Sequence, residues 1–437
     1  MHMNFDNSDK LRSKAHALIP GGCHTYAKGD DQYPVHSPGF ISKGEGCRVW
    51  DLDGNEFIEY GMGLRAVTLG HAYPSVVDAA YRQMLLGNNY TRPSAIEVEC
   101  AEMMVELIDA ADMVKFAKNG SDATTAAARL SRAYTGRDLI AVCQDHPFFS
   151  VDDWFIGSTP MAAGIPEAIR NLTVKFKYND ISSVVSLFDE YPGQIACLFL
   201  EAATSVEPEE GFLNEVRKLC TKHGTVLILD EMITGFRWHL KGAQNYYGVK
   251  PDLSTFGKAM GNGFSIAALA GKREIMDLGG ITHDKERVFL LSTTQGAENH
   301  ALAATLATIK VYREHNVIEH LWTFGDVLRQ RVNEIIASLK LEDYFQLLGQ
   351  PCNLVYATKD QEKNPSQEFR ALFLQETIRN GLLMPSLVIS YSHREKDIEQ
   401  TVQGIGEALH IYRKALDEGV EKYLIGRPLK PVFRKYN

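Results

Sequence analysis

Two stretches decide the fold of this chain: TVLILDEMITGFR at 225–237 and PDLSTFGKAMGNGF at 251–264. The run Thr225 to Leu229 lacks the polar–apolar alternation of a half-exposed strand, so it reads as a strand covered on both faces. Comparable runs occur at Leu139 to Cys143, Ile195 to Leu200 and Ile266 to Ala270, with helix-like stretches between them. That alternation is how a parallel sheet between helices looks in sequence, so the middle of the chain is expected to be an α/β layer. Asp230 and Glu231 then stand at the carboxyl end of a central strand, the edge at which open α/β sheets take their ligands.

An aspartate there can pair with a protonated heterocyclic nitrogen and keep a cofactor ring electron-withdrawing. Lys258, flanked by Gly257 and by the small residues Ala259 to Gly263, suits close approach to a cofactor aldehyde. Apolar or cationic surroundings lower a lysine pKa and free its amine to attack. An isolated lysine in such a loop would read as a solvated side chain; the carboxylate upstream changes that. FAKNGSDATTAAARLSRAYTGR at 116–137 reads as strand, tight turn and helix. Gly120 and Ser121 would offer backbone N–H groups and a hydroxyl to a phosphate dianion at the helix N-terminus. Asn119, Ser121 and Asp122 also read as a simple cap of an Ala-rich helix. No G-x-x-x-x-G-K-[ST] or G-x-G-x-x-G motif accompanies them, which disfavours a nucleotide loop.

Further out, GEGCRVWDLDGNEFIEY at 44–60 alternates on either side of Asp53-Gly54 and predicts a small hairpin. A helix is expected over Ser94 to Ala110, leading to a strand at 113–117. After 300, helices are expected at 300–313, at 316–340 and from Glu395 to Gly419, with a strand from Asn353 to Thr358. Both chain ends would thus build a smaller α+β lobe: residues 1–70 join it, 71–320 form the large domain, and 321–437 complete it. A chain of 437 residues is long enough for two such cores.

Composition narrows the function classes. The chain is 45% hydrophobic and 23% charged with a formal charge of -9, and no Lys/Arg run could track a nucleic-acid backbone. Seven cysteines without a C-x-x-C pair argue against a zinc site or disulfide framework and for a reducing compartment. No apolar segment is long enough to span a bilayer, so a cytoplasmic protein with no metal, membrane or nucleic-acid partner is expected.

IPGG at 19–22, KGEGCRVWDLDGNEFIEY, LGHAYPSVV at 69–77, KNGSDAT, YTGRD, EEGFL, LILDEMITGFR and PDLSTFGKAMGNG together resemble the class III aminotransferases. The branch containing glutamate-1-semialdehyde 2,1-aminomutase is the nearest in pattern. The resemblance implies fold type I: a mixed, mostly parallel central sheet flanked by helices, with pyridoxal 5'-phosphate as cofactor. It makes Lys258 the Schiff-base lysine and Asp230 the partner of the ring nitrogen. It puts Gly120 and Ser121 at the phosphate and Met232 under the ring. Thr294, in STTQGAENHALAAT, matches a threonine that reaches the phosphate of a neighbouring subunit, which implies a homodimer.

Departures from the family pattern bear on substrate. Where a Tyr-His-Gly segment often stacks on the cofactor, this chain reads DHPFFSVDD, with His146 as positional match and Phe148 as competitor. Glu201 keeps the carboxylate of a usual Glu-Pro pair, but Ala202 replaces the proline. The aminomutase has an arginine after its Gly-Gly segment that holds a carboxylate; here Lys28 is nearest, and lysine cannot fork onto a carboxylate as arginine does. Leu64 replaces a family tryptophan, with Arg65 beside it, and Glu298 adds an acid. Lys28, Arg65 and Glu298 are therefore candidate substrate residues, in keeping with a sugar, polyol-like or amino-bearing substrate rather than a dicarboxylate. The tail LIGRPLKPVFRKYN, similar to that of members linked to polysaccharide assembly, points the same way. An aminotransferase joining an amine donor to an aldehyde or ketone acceptor is expected. An aminomutase and a non-catalytic cofactor binder are the alternatives.

Overall fold

The computed structural model describes residues 3–436. The chain divides into two compact units, one comprising Met1–Tyr73 with Glu319–Asn437 and the other Pro74–Ile318.

The first unit holds a sheet of β1 (Ile41–Glu45), β2 (Arg48–Asp51), β3 (Glu56–Glu59) and β13 (Leu382–Leu383) in that order. The expected hairpin is β2–β3, antiparallel, with Gly54 at φ 84° in its turn. Asp51 Oδ1 closes that turn by accepting the N–H groups of Asp53 and Asn55. β1 was not anticipated, because four of its five residues are exposed and it carries no apolar run. The long helices Gln367–Arg379 and Glu395–Glu418 and the β11 (Phe345–Leu348)–β12 (Val355–Thr358) pair complete the unit. β12 starts later than Asn353 because Pro351–Asn353 forms a 3-10 turn.

The second unit is built on a seven-stranded sheet. In chain order its strands are β4 (Met113–Ala117), β5 (Leu139–Cys143), β6 (Thr173–Phe176), β7 (Ile195–Glu201), β8 (Val226–Asp230), β9 (Leu253–Phe256) and β10 (Ala267–Gly271). Their spatial order is β4-β10-β9-β8-β7-β5-β6. Neighbours from β9 to β6 are parallel, whereas β10 is antiparallel to both β9 and β4. β5, β7, β8, β9 and β10 are buried at every position, which is why their sequences show no alternation. The helix Gly120–Thr135 lies on this sheet through Ala123, Ala126, Ala127 and Leu130, all at most 1% exposed. Alanines let its backbone come close, and Gly136, at φ 66°, ends it in the left-handed conformation.

Topology fixes where a site can form. β4 points the same way as β9, since each is antiparallel to β10 between them. The turns leaving β4, β5, β7, β8 and β9 therefore all emerge at one edge of the sheet.

Candidate active site

That edge gathers Gly120 and Ser121 after β4, His146 after β5, Glu201 closing β7, Asp230 closing β8, and Lys258 after β9. Register places Glu201 beside Asp230 and Asp230 beside Thr255. Asp230 is 3% exposed, and its Oδ1 accepts the Met232 N–H at 2.9 Å and the Thr255 hydroxyl at 3.2 Å. Burial pushes its carboxyl up to about 6, and the charge of Lys258 pulls in the opposite direction. The two side chains are thus within electrostatic reach of each other.

The neighbouring acid is committed elsewhere. Glu231 Oε2 accepts the Ala243 N–H at 2.9 Å and Oε1 the Gln244 N–H at 2.8 Å; the Thr234 hydroxyl donates to it as well. Burial raises its pKa, and those bonds satisfy it inside the fold. Of the Asp-Glu pair, only Asp230 remains to meet a ligand.

Lys258 begins a 3-10 turn, Lys258–Gly261, and is half-buried at φ 39°. A non-glycine residue held in that left-handed region costs on the order of 1–3 kcal/mol, and such outliers cluster at functional sites. Met232 packs between the lysine turn and the turn after β4. A Cβ at Gly257 would lie 2.6 Å from Met232 Sδ, and one at Gly120 3.0 Å from it. The glycines at these two positions let the thioether seat against both turns.

At the helix start, Asn119 and Asp122 cap each other reciprocally: Asn119 Oδ1 accepts the Asp122 N–H at 3.2 Å, and Asp122 Oδ2 the Asn119 N–H at 3.1 Å. The capping expected for this segment is therefore present. It uses neither the N–H of Gly120 nor that of Ser121, which have no acceptor within a helix. Ser121 Oγ accepts the Val151 N–H at 3.0 Å, so its own proton is free to be donated.

His146 Nδ1 accepts the Glu201 backbone N–H at 3.0 Å, which fixes the proton on Nε2. Burial pushes this imidazole down to about 4, and Nε2 is buried with no partner among the described residues. The ring packs against Tyr178 with centroids 4.8 Å apart. Phe148, by contrast, is 42% exposed and meets Phe155 edge-on.

The three substrate candidates fall in two different units. Glu298 forms an ion pair with Lys118 in the second unit. Lys28 and Arg65 belong to the first unit. Lys28 is exposed in the turn Tyr26–Lys28. Arg65 ends a run in which Met62, Gly63, Leu64 and Arg65 all have φ between 42° and 71°, and its Nε donates to Asn353 Oδ1 at 2.9 Å. Thr294 is exposed, with its carbonyl accepting from Asn89 Nδ2 at 2.9 Å.

The family model of class-III aminotransferases matches residues 27–386. This chain belongs to the class-III aminotransferases. Curated relatives include glutamate-1-semialdehyde 2,1-aminomutase from Desulforamulus reducens, 31% identical over 96% of this chain and all of that one. The enzyme of the same name from Archaeoglobus fulgidus is 32% identical over 93% of this chain and all of that one. Among solved structures, the FumI protein of Sphingopyxis sp. MTA144 with pyridoxal phosphate superposes with a TM-score of 0.87 at 27% identity, covering 94% of this chain and 98% of that one. A glutamate-1-semialdehyde aminomutase from Pseudomonas aeruginosa PAO1 gives a TM-score of 0.81 at 19% identity, over 93% and 95% of the two chains, and shows the shared fold.

The fold is accordingly fold type I, and the cofactor of this class-III aminotransferase is pyridoxal 5'-phosphate. Its donor set fits that molecule: N–H groups and a hydroxyl at a helix start for a dianion, a buried carboxylate for a cationic nitrogen, and a primary amine between them in the strand order. Among the described residues, no cluster of His, Cys, Asp or Glu could hold a metal ion, and no helix is long and apolar enough to cross a membrane. Thr255, which orients the carboxylate of this aminotransferase, escaped the sequence analysis because LSTF has no apolar run to announce a strand. The pattern of strands around it was the only available signal.

Proposed function

We propose that this enzyme transfers an amino group from an amine donor to a separate aldehyde or ketone acceptor, with Lys258 and Asp230 as its catalytic pair. The observation that carries this is the gathering of Lys258, the buried Asp230 and the Gly120–Ser121 turn at one edge of the sheet, with Asp230 in register beside Thr255. Pyridoxal phosphate, when bound, supplies an aldehyde that links to amines and a ring that withdraws electrons. Asp230 would hold a proton on the ring nitrogen, and the turn at Gly120 and Ser121 would anchor the phosphate. Lys258 Nζ would be the amine that holds the cofactor. The same nitrogen would also hold and move the proton of the substrate carbon beside the amine. Met232, seated between the Gly120 and Gly257 turns, would support the ring. His146, neutral and fixed by the Glu201 N–H, would present its face to the other.

Transfer between two molecules is favoured by the substrate segment. GGCHTYAK lacks an arginine, and its lysine offers a point charge in place of a carboxylate fork. The sugar or polyol-like acceptor rests on sequence features alone. The mutase reading has its own support in the 31–32% identity to aminomutases over nearly the whole chain.

A homodimer is part of the proposal. The helix Pro74–Leu86 exposes Val77, Tyr81, Met84, Leu85 and Leu86, and Tyr90 follows in the segment that holds Thr294 through Asn89. Exposed apolar surface of this kind marks association, and Thr294 would then serve the partner's phosphate.

Mixing the holoenzyme with an amine donor alone should change the cofactor absorbance once and then stop, and adding a carbonyl acceptor should restart turnover. Sustained conversion of glutamate 1-semialdehyde with no second carbonyl compound would establish the mutase instead.

A further inference from the structure

Lys118 and Glu298 are far apart in sequence, yet their side chains form an ion pair with 37% and 18% exposure. Lys118 directly precedes Asn119, the cap of the helix Gly120–Thr135. Its carbonyl accepts the Ser265 hydroxyl at 2.8 Å, so the turn is also tied to the chain leaving the lysine loop. Glu298 occupies the N-cap position of the helix Asn299–Glu314 but makes no capping bond with its side chain. A carboxylate placed to cap its own helix is instead given to Lys118. The loop that ends at Glu298 carries Thr294, and it is held twice more: Asn89 Nδ2 donates to the Thr294 carbonyl, and the Asn299 N–H donates to the Asn88 carbonyl at 3.0 Å.

We propose that the Lys118–Glu298 pair is a positioning latch that locks the Gly120–Ser121 turn to the Thr294 loop, so that each chain prepares its own phosphate turn and the segment it lends to a partner together. This rests on the phosphate site and dimer proposed above. Neither residue touches the cofactor in this account; both act through backbone they hold in place. Glu298 is therefore not the free acid that an amino-bearing substrate would need, since its charge is already matched.

Electrostatics distinguishes a latch from a simple charge effect. A phosphate dianion would be attracted by a freed Lys118 and repelled by a freed Glu298. If charge alone mattered, Glu298→Gln would tighten cofactor binding and Lys118→Met would weaken it. A latch predicts that both weaken it, because either change releases the same two loops.

The test is the dissociation constant of pyridoxal phosphate from the holoenzyme, read by visible absorbance, together with the molecular mass in solution. Lys118→Met and Glu298→Gln should each raise that constant about ten-fold, within the usual coupling of contacting residues. The swapped pair K118E/E298K should return to within about three-fold of the parent, and Lys118→Arg, which keeps the charge, should stay there too. Opposite-signed single effects, or a swapped pair no tighter than the weaker single variant, would overturn the latch. Ser121→Ala separates the two claims. If it leaves the constant unchanged, the phosphate lies elsewhere and the latch falls with it. If it weakens binding while the pair variants do not, the latch alone is wrong.

Discussion

Replacing Lys258 with alanine is expected to reduce turnover by roughly 10^4-fold, the upper end of what a positioned proton-transfer group contributes. In the proposed mechanism the side chain has two duties, covalent attachment at rest and proton transfer during reaction, and the lysine in the turn after β4, Lys118, is already paired with Glu298. The fold should survive. Lys258 sits in a turn, half-buried, and alanine relieves none of the packing around Met260 or Ala259, both fully buried. Circular dichroism and melting should therefore match the parent, while the visible band of the linked cofactor disappears. Activity within ten-fold of the parent would remove Lys258 from the mechanism. A small residual rate restored by added primary amines would fit its role.

Asp230→Asn carries the second-largest effect and has two separable consequences. For catalysis, kcat should drop about 10^2–10^3-fold, the usual loss when one preorganised electrostatic partner is removed, with KM nearly unchanged. A rise in KM with kcat intact would mean that Asp230 only binds. For stability, the sign follows from its pKa. In the cofactor-free chain burial raises Asp230 from 3.8 to about 6. An acid raised on folding stabilises the fold while protonated, so its contribution is complete below pH 4 and is lost as pH climbs through 6. The loss is on the order of 3 kcal/mol. Melting of the cofactor-free parent should thus decline between pH 4 and 7 more steeply than that of Asp230→Asn. A cationic ring nitrogen compensates the buried charge, so bound cofactor should flatten the difference. Identical pH dependence in the two cofactor-free proteins would show that Asp230 is not strained by burial.

The sheet and the residues gathered at its edge were readable from sequence because they rest on short-range patterns. Unbroken apolar runs gave β5, β7, β8 and β10, and Asp230, Lys258, Gly120 and Ser121 stand beside such runs or beside small residues that permit tight turns. β6 and β9 escaped notice, since TVKF and LSTF are four residues long and half polar. β1 escaped because it is mostly exposed. The direction of β10 was likewise hidden: AALAG says that a strand is buried and nothing about which way it runs. Asp230 and Glu231 could not be told apart by position, since the difference lies in Ala243 and Gln244, whose N–H groups take Glu231. Glu298 shows the same limit. Alone it looks like a substrate residue, and only the pairing of distant loops shows that Lys118 uses its charge. Substrate choice stays least legible, since Lys28 and Arg65 lie in a different unit from Lys258, and no sequence periodicity speaks to their partners.

The most direct measurement is borohydride reduction of the cofactor-loaded chain followed by proteolysis and mass mapping. Reduction should fix one cofactor mass per chain on the peptide that contains Lys258, and should bleach the visible band. A cofactor mass on another lysine, or none on any peptide from a chain that had shown the band, would contradict the central assignment.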